Sequence, residues 1–287
     1  MILVVGASGM LGGKIVHRLI EEEHPVRALV RDPASADALS VAGADVVKAD
    51  LRMPDTLGPA LRGVAAVVTT ANAAGRSGAD TTDTVDRLGN LALIDAAREE
   101  GVEQFVFLSA FGAATDSPVP FLRAKGLSEE HLLASGVPFT ILRPDIVMET
   151  WIGRFVVNPV RTGRPVVIIG EGERLHSFVA VDDLAALVVA VVGNPPAIGR
   201  IIAFGGPHAV SWLDIVESAA HVVGRVIPVR HVSPGTSIQG LPDAVAQIAA
   251  SLDRYDSVLE SRRIAQEFGV PQTSVESWLR MQLAEVG

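Results

Sequence analysis

The 287-residue chain carries 24 basic and 33 acidic residues, a net charge of −9, no cysteine and 48% hydrophobic residues. An acidic surface repels phosphate backbones and anionic headgroups, so neither nucleic acid nor membrane is expected as a partner. Lack of cysteine excludes disulfides, thiolate metal sites and a thiol nucleophile, and the seven scattered histidines form no HxxxH or HxH pair, so no metal is expected.

ILVV (2–5) is a short apolar run bounded by Gly6, the pattern of a buried parallel strand. MLGGKIVHRLI follows with Leu11, Ile15, Val16 and Leu19 at helical spacing. PVRALV (25–30) predicts a second strand, ASADALSVAG a short helix closed by Gly43, and ADVVKAD a third strand. PDTLGPALRG reads as a helix from Pro54 to Gly63, AAVVTT (65–70) as strand four, and 81–101 as one long helix. EQFVFLSA (103–110) is strand five, a helix runs on to Gly136, and VPFTILRP (137–144) is strand six. This alternation predicts an α/β fold, a Rossmann-type doubly wound parallel sheet with a ligand at the strand ends.

After residue 150 the rhythm breaks into short strands and one helix with Asp182 at its cap, then a mostly helical third. The expected division is a nucleotide-binding domain over 1–150, rejoined by part of 176–205, and a smaller α/β, mostly helical lid over 151–287. The opening strand leaves no room for a signal peptide, and the apolar stretch Leu184–Val192 is too short to span a bilayer, so a cytoplasmic protein is expected.

Glycines 6, 9 and 12 stand between the first strand and helix. Gly6 permits a tight turn, Gly9 clears the approach path, and Gly12 lets the helix pack on the strand. With Ala7, Ser8 and Met10 they would place a pyrophosphate on the helix amino end. Past strand two, Arg31 would pair with a 2′-phosphate, giving NADP(H) over NAD(H). Asp32 is the rival, favouring NAD(H) unless it caps the turn opened by Pro33. Thr70 and Asn72 follow strand four, where a small side chain lets the chain pass under a dinucleotide; Asn72 could equally cap a turn.

The G-x-x-G-x-x-G spacing, with LVRDP, ADL, AAREEGVEQFVFLSA, FTILRP and VAVDDLA, resembles the NmrA-like group of atypical short-chain dehydrogenases over nearly the whole chain. That group contains quinone oxidoreductases, triphenylmethane-dye and phenylcoumaran-type reductases, and non-catalytic NADP-sensing regulators. The resemblance implies that Arg31 selects NADP, that Asp50 lies near the adenine amino group with Leu51 beside the ring, and that Arg143 and Pro144 lie below the nicotinamide. A loop-capping role is the plainer alternative for Asp50.

The larger superfamily works with Ser, Tyr and Lys. Ser109 ends strand five and Lys125 lies on the next helix, but Phe121 stands one turn before the lysine, and the only tyrosine is Tyr255. Ser109 and Lys125 are therefore the candidate catalytic pair, Lys125 also holding the ribose; a strand-end serine and a surface lysine are the structural alternatives. An acceptor that needs no phenolic acid fits this pattern: an aromatic or conjugated small molecule, quinone-like or otherwise electron-poor. Phe111, Phe121, Met148, Trp151 and Phe155 are the candidate substrate wall, with interdomain packing as the plain alternative. The expected activity is NADPH-dependent reduction by a monomer or homodimer; the alternative is an NADP(H)-binding sensor or assembly protein without turnover. RRIAQEFGVPQTSVESWLRMQ (262–282) scans like a helix-turn-helix, but Glu267 and Glu276 offset its arginines, and a packed terminal helix pair is expected.

Overall fold

In a computed structural model, which describes all residues except 74, 77, 237, 239, 240 and 285–287, the described residues form nine strands. They are β1 (Ile2–Val5), β2 (Val26–Val30), β3 (Asp45–Lys48), β4 (Ala66–Thr69), β5 (Gln104–Leu108), β6 (Phe139–Pro144), β7 (Val166–Ile169), β8 (Arg200–Phe204) and β9 (Val229–Val232). Seven form one sheet in the order β3-β2-β1-β4-β5-β6-β8. The first six pair in parallel. β8 continues the direction, since Gly199 N–H meets Phe139 O at one end and Asp145 N–H meets Phe204 O at the other. β1, β4 and β5 are buried along their whole length, as expected where helices cover both faces. The chain works outward from β1 to β3, then returns to β4 on the other side of β1. Strand order reverses there, so the switch-point crevice of an open α/β sheet falls beyond the carboxyl ends of β1 and β4.

The chain divides into two units: Met1–Arg143 with Leu184–Ile202, and Pro144–Asp183 with Ala203–Gly287. The first crossing falls at the end of β6, before the expected residue 150. The first unit's core includes Leu3, Leu57, Leu93, Phe105, Phe107 and Ile141. The second unit holds the parallel pair β7-β9 and a core that includes Val156, Ile168, Phe178, Ile215 and Leu279. Its terminal helices Ser261–Phe268 and Val275–Leu283 are joined through Gly269, at φ +65°. Ala265, Val275 and Trp278 turn inward from them, so this stretch presents its apolar face to the unit's own core.

Two details depart from the sequence reading. The helix expected over 81–101 opens as a π-helix, Thr82–Gly89, and becomes α-helical from Asn90 to Glu99. The wider turn is supported by Asn90, whose Nδ2 donates to the Val85 and Asp86 carbonyls. Asp182 does not precede its helix. It stands inside the first turn of Val181–Val191, and the Val181 N–H is taken by Glu149 Oε2 at 2.9 Å.

Candidate functional site

Gly6 adopts φ +84° where the chain turns from β1 into the helix Met10–Glu21. A Cβ there would lie 2.7 Å from Thr70 Oγ1, and one at Gly12 would overlap the Gly6 carbonyl. The helix can pack this close only with glycine at both positions. Gly9 is the N-cap and offers no side-chain acceptor, and no acidic residue stands in the first turn. The first-turn N–H groups and the positive helix end are thus left to an external anion. Ala7 is buried, while Ser8 and Met10 are exposed on the turn. Across the crevice, Thr70 is fixed by its N–H and Oγ1, both reaching Val5 O, at 3.0 and 3.2 Å. Asn72 is exposed, with Nδ2 3.5 Å from Thr70 O.

At the far end of this crevice, Asp32 accepts from Ala34 N–H at 3.1 Å and caps the turn begun by Pro33. That leaves Arg31 as the cation past β2. Its NH1 lies 2.6 Å from Asp80 Oδ2. Asp50 accepts from the Arg52 backbone N–H at 2.9 Å and pairs with the Arg52 guanidinium at 2.6 Å, so the loop-capping role holds for it. The Arg52 hydrogen bonds hold the Asp50 carboxyl below its usual range. Leu51 is buried in the first unit's core.

Ser109 follows β5 and is 5% exposed, and its hydroxyl oxygen has no hydrogen-bond partner among the described residues. Lys125 is on the helix Pro120–Ser135, 2% exposed rather than a surface lysine. Its Nζ donates to Leu108 O at 3.0 Å and lies 3.5 Å from both Ala71 O and Asp86 Oδ1. The rings of Phe107 and Phe121 flank it at 5.0 and 5.7 Å. Burial pulls the Lys125 amine down and pushes the Asp86 carboxyl up, and each draws the other back toward its charged form. Asp86 also accepts from Ala73 N–H at 2.9 Å, and Ser128 Oγ donates to its backbone carbonyl. Phe111 and Phe121 are half-buried, and Pro144 is buried at the end of β6. Arg143 pairs bidentately with Glu129.

In the second unit, Met148 is fully buried in the core, which leaves it no surface for a substrate; this corrects its place in the expected wall. Trp151 and Phe155 stack at 5.8 Å, and Phe155 meets the edge of Trp212 at 6.0 Å. Phe155 and Trp212 line an apolar cavity of about 20 Å³ with Ile168 and Ala249, room for about one water. Packing accounts for this series as it stands.

Asp80, Asp86, Arg52 and Arg76 were not anticipated. Asp86 and Asn90 continue, at i and i+4, the buried stripe of Ile94 and Ala97, and polar residues on that stripe were the available signal. The other three stand in loop or loop-edge sequence, where periodicity carries no information.

A parallel sheet with a glycine turn at its switch point, and a helix end left open for an anion, defines a Rossmann-type dinucleotide-binding protein. A family model described as NAD(P)H-binding matches residues 6–195, and the chain belongs to that family. It is 33% identical over 234 residues to an NAD(P)H azoreductase of Xenophilus azovorans, covering 81% of this chain and 77% of that one. It is 31% identical over 255 residues to the chloroplastic protein High Chlorophyll Fluorescence Phenotype 244 of Arabidopsis thaliana, covering 88% of this chain but spanning only 61% of that protein. A photosystem II assembly factor of Cyanophora paradoxa is 32% identical over 235 residues, with 80% and 71% covered. An NADPH-dependent quinone oxidoreductase of Escherichia coli, solved with NADPH, shares the fold at a TM-score of 0.83 and 22% identity, with 98% and 99% covered. Among the described residues no helix is long and apolar enough to cross a membrane.

Proposed function

We propose that the chain is an NADPH-dependent reductase that passes a hydride to an electron-poor small molecule of quinone, azo or cationic-dye type. The observation that carries this reading is the buried Ser109 hydroxyl. A desolvated hydroxyl without a partner costs about 1–3 kcal/mol, and it stands one residue past the carbonyl that anchors Lys125. A group kept at that cost is readied for an external partner. The nicotinamide supplies the hydride when bound. The glycine turn receives the pyrophosphate, Arg31 the 2′-phosphate, and Ser109 orients the ribose or the acceptor. Phe121 supplies no phenolic proton beside Lys125. The single tyrosine, Tyr255, belongs to the other unit, where burial pushes its pKa up to about 12. Acceptors whose reduced forms take protons from solvent fit such a site. The azoreductase relative supports this acceptor class.

The test is NADPH consumption against quinones, azo dyes, cationic dyes and activated enones, with wild type and Ser109→Ala. Oxidation with one class, lowered roughly 10–100-fold in kcat/KM by Ser109→Ala without loss of thermal stability, is expected. Unchanged turnover in the variant would remove Ser109 from the site. A second reading, an NADP(H)-binding assembly or sensor protein, is favoured by one observation: Lys125 is 2% exposed and its ammonium is already held by the Leu108 carbonyl and the Asp86 carboxylate. Tight NADPH binding with no oxidation by any acceptor would select it.

A further inference from the structure

Three guanidinium groups meet on one carboxylate at the adenosine end of the crevice. Asp80 lies 2.6 Å from Arg31 NH1, 3.1 Å from Arg52 NH1 and 3.2 Å from Arg76 NH1. The arginines come from three separate places: the end of β2, the turn after β3 and the segment after β4. Their side chains are 44, 32 and 46% exposed, while that of Asp80 is 10% exposed. Asp50, paired with Arg52, is the other carboxylate. Among the described residues these ion pairs join three guanidinium groups to two carboxylates, in a chain of net charge −9. The geometry is also incomplete, because among the described residues Asp80 Oδ1 has no well-aligned hydrogen-bond partner although Arg52 is within ion-pair distance. A planar carboxylate cannot satisfy three guanidinium forks at once, whereas a tetrahedral phosphomonoester offers three acceptor oxygens and about two charges.

The backbone around Asp80 is held in place. Thr81 and Thr84 form a reciprocal capping box at the start of the π-helix, and Thr84 Oγ1 donates to Ala79 O at 2.8 Å. Arg76 N–H donates to Ala73 O, and Ala73 N–H donates to buried Asp86. Burial alone would raise the Asp80 carboxyl, but Arg31 and Arg76 outweigh it and keep it ionised. Asp80 is therefore a permanent anion held against a cationic site.

Resting on the NADP(H) reading above, we propose that Arg31, Arg52 and Arg76 together form the 2′-phosphate site, and that Asp80 is its resident counter-anion, competing with the 2′-phosphate and so setting the preference between NADP(H) and NAD(H). An NAD(H) adenosine brings no anion, and Asp80 keeps its pairs. An NADP(H) adenosine must displace the carboxylate from at least part of the cluster. Selectivity is then a difference between the arginines' attraction and the carboxylate's competition.

The experiment is calorimetric titration of the full chain with adenosine 2′,5′-bisphosphate and with 5′-AMP, for wild type, Asp80→Asn, Arg52→Gln and Arg76→Gln. Asp80→Asn should bind the bisphosphate roughly 5–10-fold more tightly, the scale of one partly exposed ion pair. Arg52→Gln and Arg76→Gln should each weaken it about tenfold or more. The affinity for 5′-AMP should not change in any of them. Asp80→Asn weakening the bisphosphate, or either arginine variant affecting the two ligands equally, would overturn the proposal while leaving the nucleotide reading intact. Binding of neither ligand to the wild type would overturn both. Turnover is not used, so failure of the reductase reading would leave these titrations decisive.

Discussion

At the scale of single residues, burial and charge conflict most at Lys125 and Asp86. Lys125 is 2% exposed and Asp86 not exposed at all, with 3.5 Å between ammonium and carboxylate. Removing one partner of such a pair strands the other, at a cost of about 3–5 kcal/mol, whereas replacing both with apolar groups costs far less. Lys125→Met and Asp86→Leu should each lose about that much stability in urea unfolding, and the double variant less than either single one. Additive losses would mean the two groups do not interact. The pair also measures what the sequence could reveal of the site. Gly6 and Gly12 were legible because their requirement is local: a positive φ at one and a backbone contact at the other. The position of Arg31 was legible as the first residue past β2, and the structure spends Asp32 on its own turn. Asp86 was not, because its contact with Lys125 joins positions 39 apart by way of a π-helix that periodicity reads as ordinary helix.

At the scale of elements, three segments of the second unit meet at Ser257, a junction with no sequence signature. Its Oγ is 2.7 Å from Asp145 Oδ2 and 2.7 Å from His176 Nδ1. His176 Nε2 faces the Leu252 carbonyl at 3.0 Å, so that nitrogen carries a proton. The two remaining hydrogen bonds need two protons. Ser257 supplies one, and either the Asp145 carboxyl or the imidazole supplies the other. Burial pushes Asp145 up to about 7 and draws His176 down, with Asp256 pulling His176 back, so the neutral acid and neutral imidazole are favoured below neutrality. A carboxyl raised from 3.8 to about 7 contributes stability fully present below 3.8 and lost as pH rises through 7. His176, lowered from 6.5, acts in the opposite sense as pH falls below that value. Comparing wild type with Asp145→Asn isolates the carboxyl. The wild-type melting temperature should fall relative to the variant between about pH 4 and pH 7, and hold a constant offset above that. An offset independent of pH across that window would mean that Asp145 is ionised throughout.

At the scale of the whole molecule, the sheet was legible because parallel strands buried on both faces read as apolar runs, as β1, β4 and β5 do, while the edge strand β3 (Asp45–Lys48) carries a charge at each end. The sequence placed the rejoining segment only broadly, within 176–205, and the first crossing at residue 150 rather than after Arg143. The segment 184–202 lies far along the chain from the rest of the first unit, and what ties it there is hydrogen bonding by polar side chains rather than periodicity. Gln104, 2% exposed at the start of β5, donates to Val191 O and Thr140 Oγ1, both at 2.9 Å, and accepts from Gly193 N–H at 2.7 Å. Thr140 Oγ1 in turn donates to Ala197 O at 2.9 Å. The helix Val181–Val191 brings Leu184, Leu187 and Val188 into full burial, and β8 closes the edge of β6. A fragment cut at the expected boundary, residues 1–150, would leave Gln104 and Thr140 without these partners and expose the β6 edge. Each stranded polar group costs about 1–3 kcal/mol, and a typical domain's whole margin is about 5–15 kcal/mol. That fragment should lack a cooperative melt and near-ultraviolet dichroism, and should aggregate through the open strand edge. Joining 184–204 to residue 143 through a flexible linker should restore a cooperative transition. A sharp melt for 1–150 alone would show that the late segment only decorates a unit already complete without it.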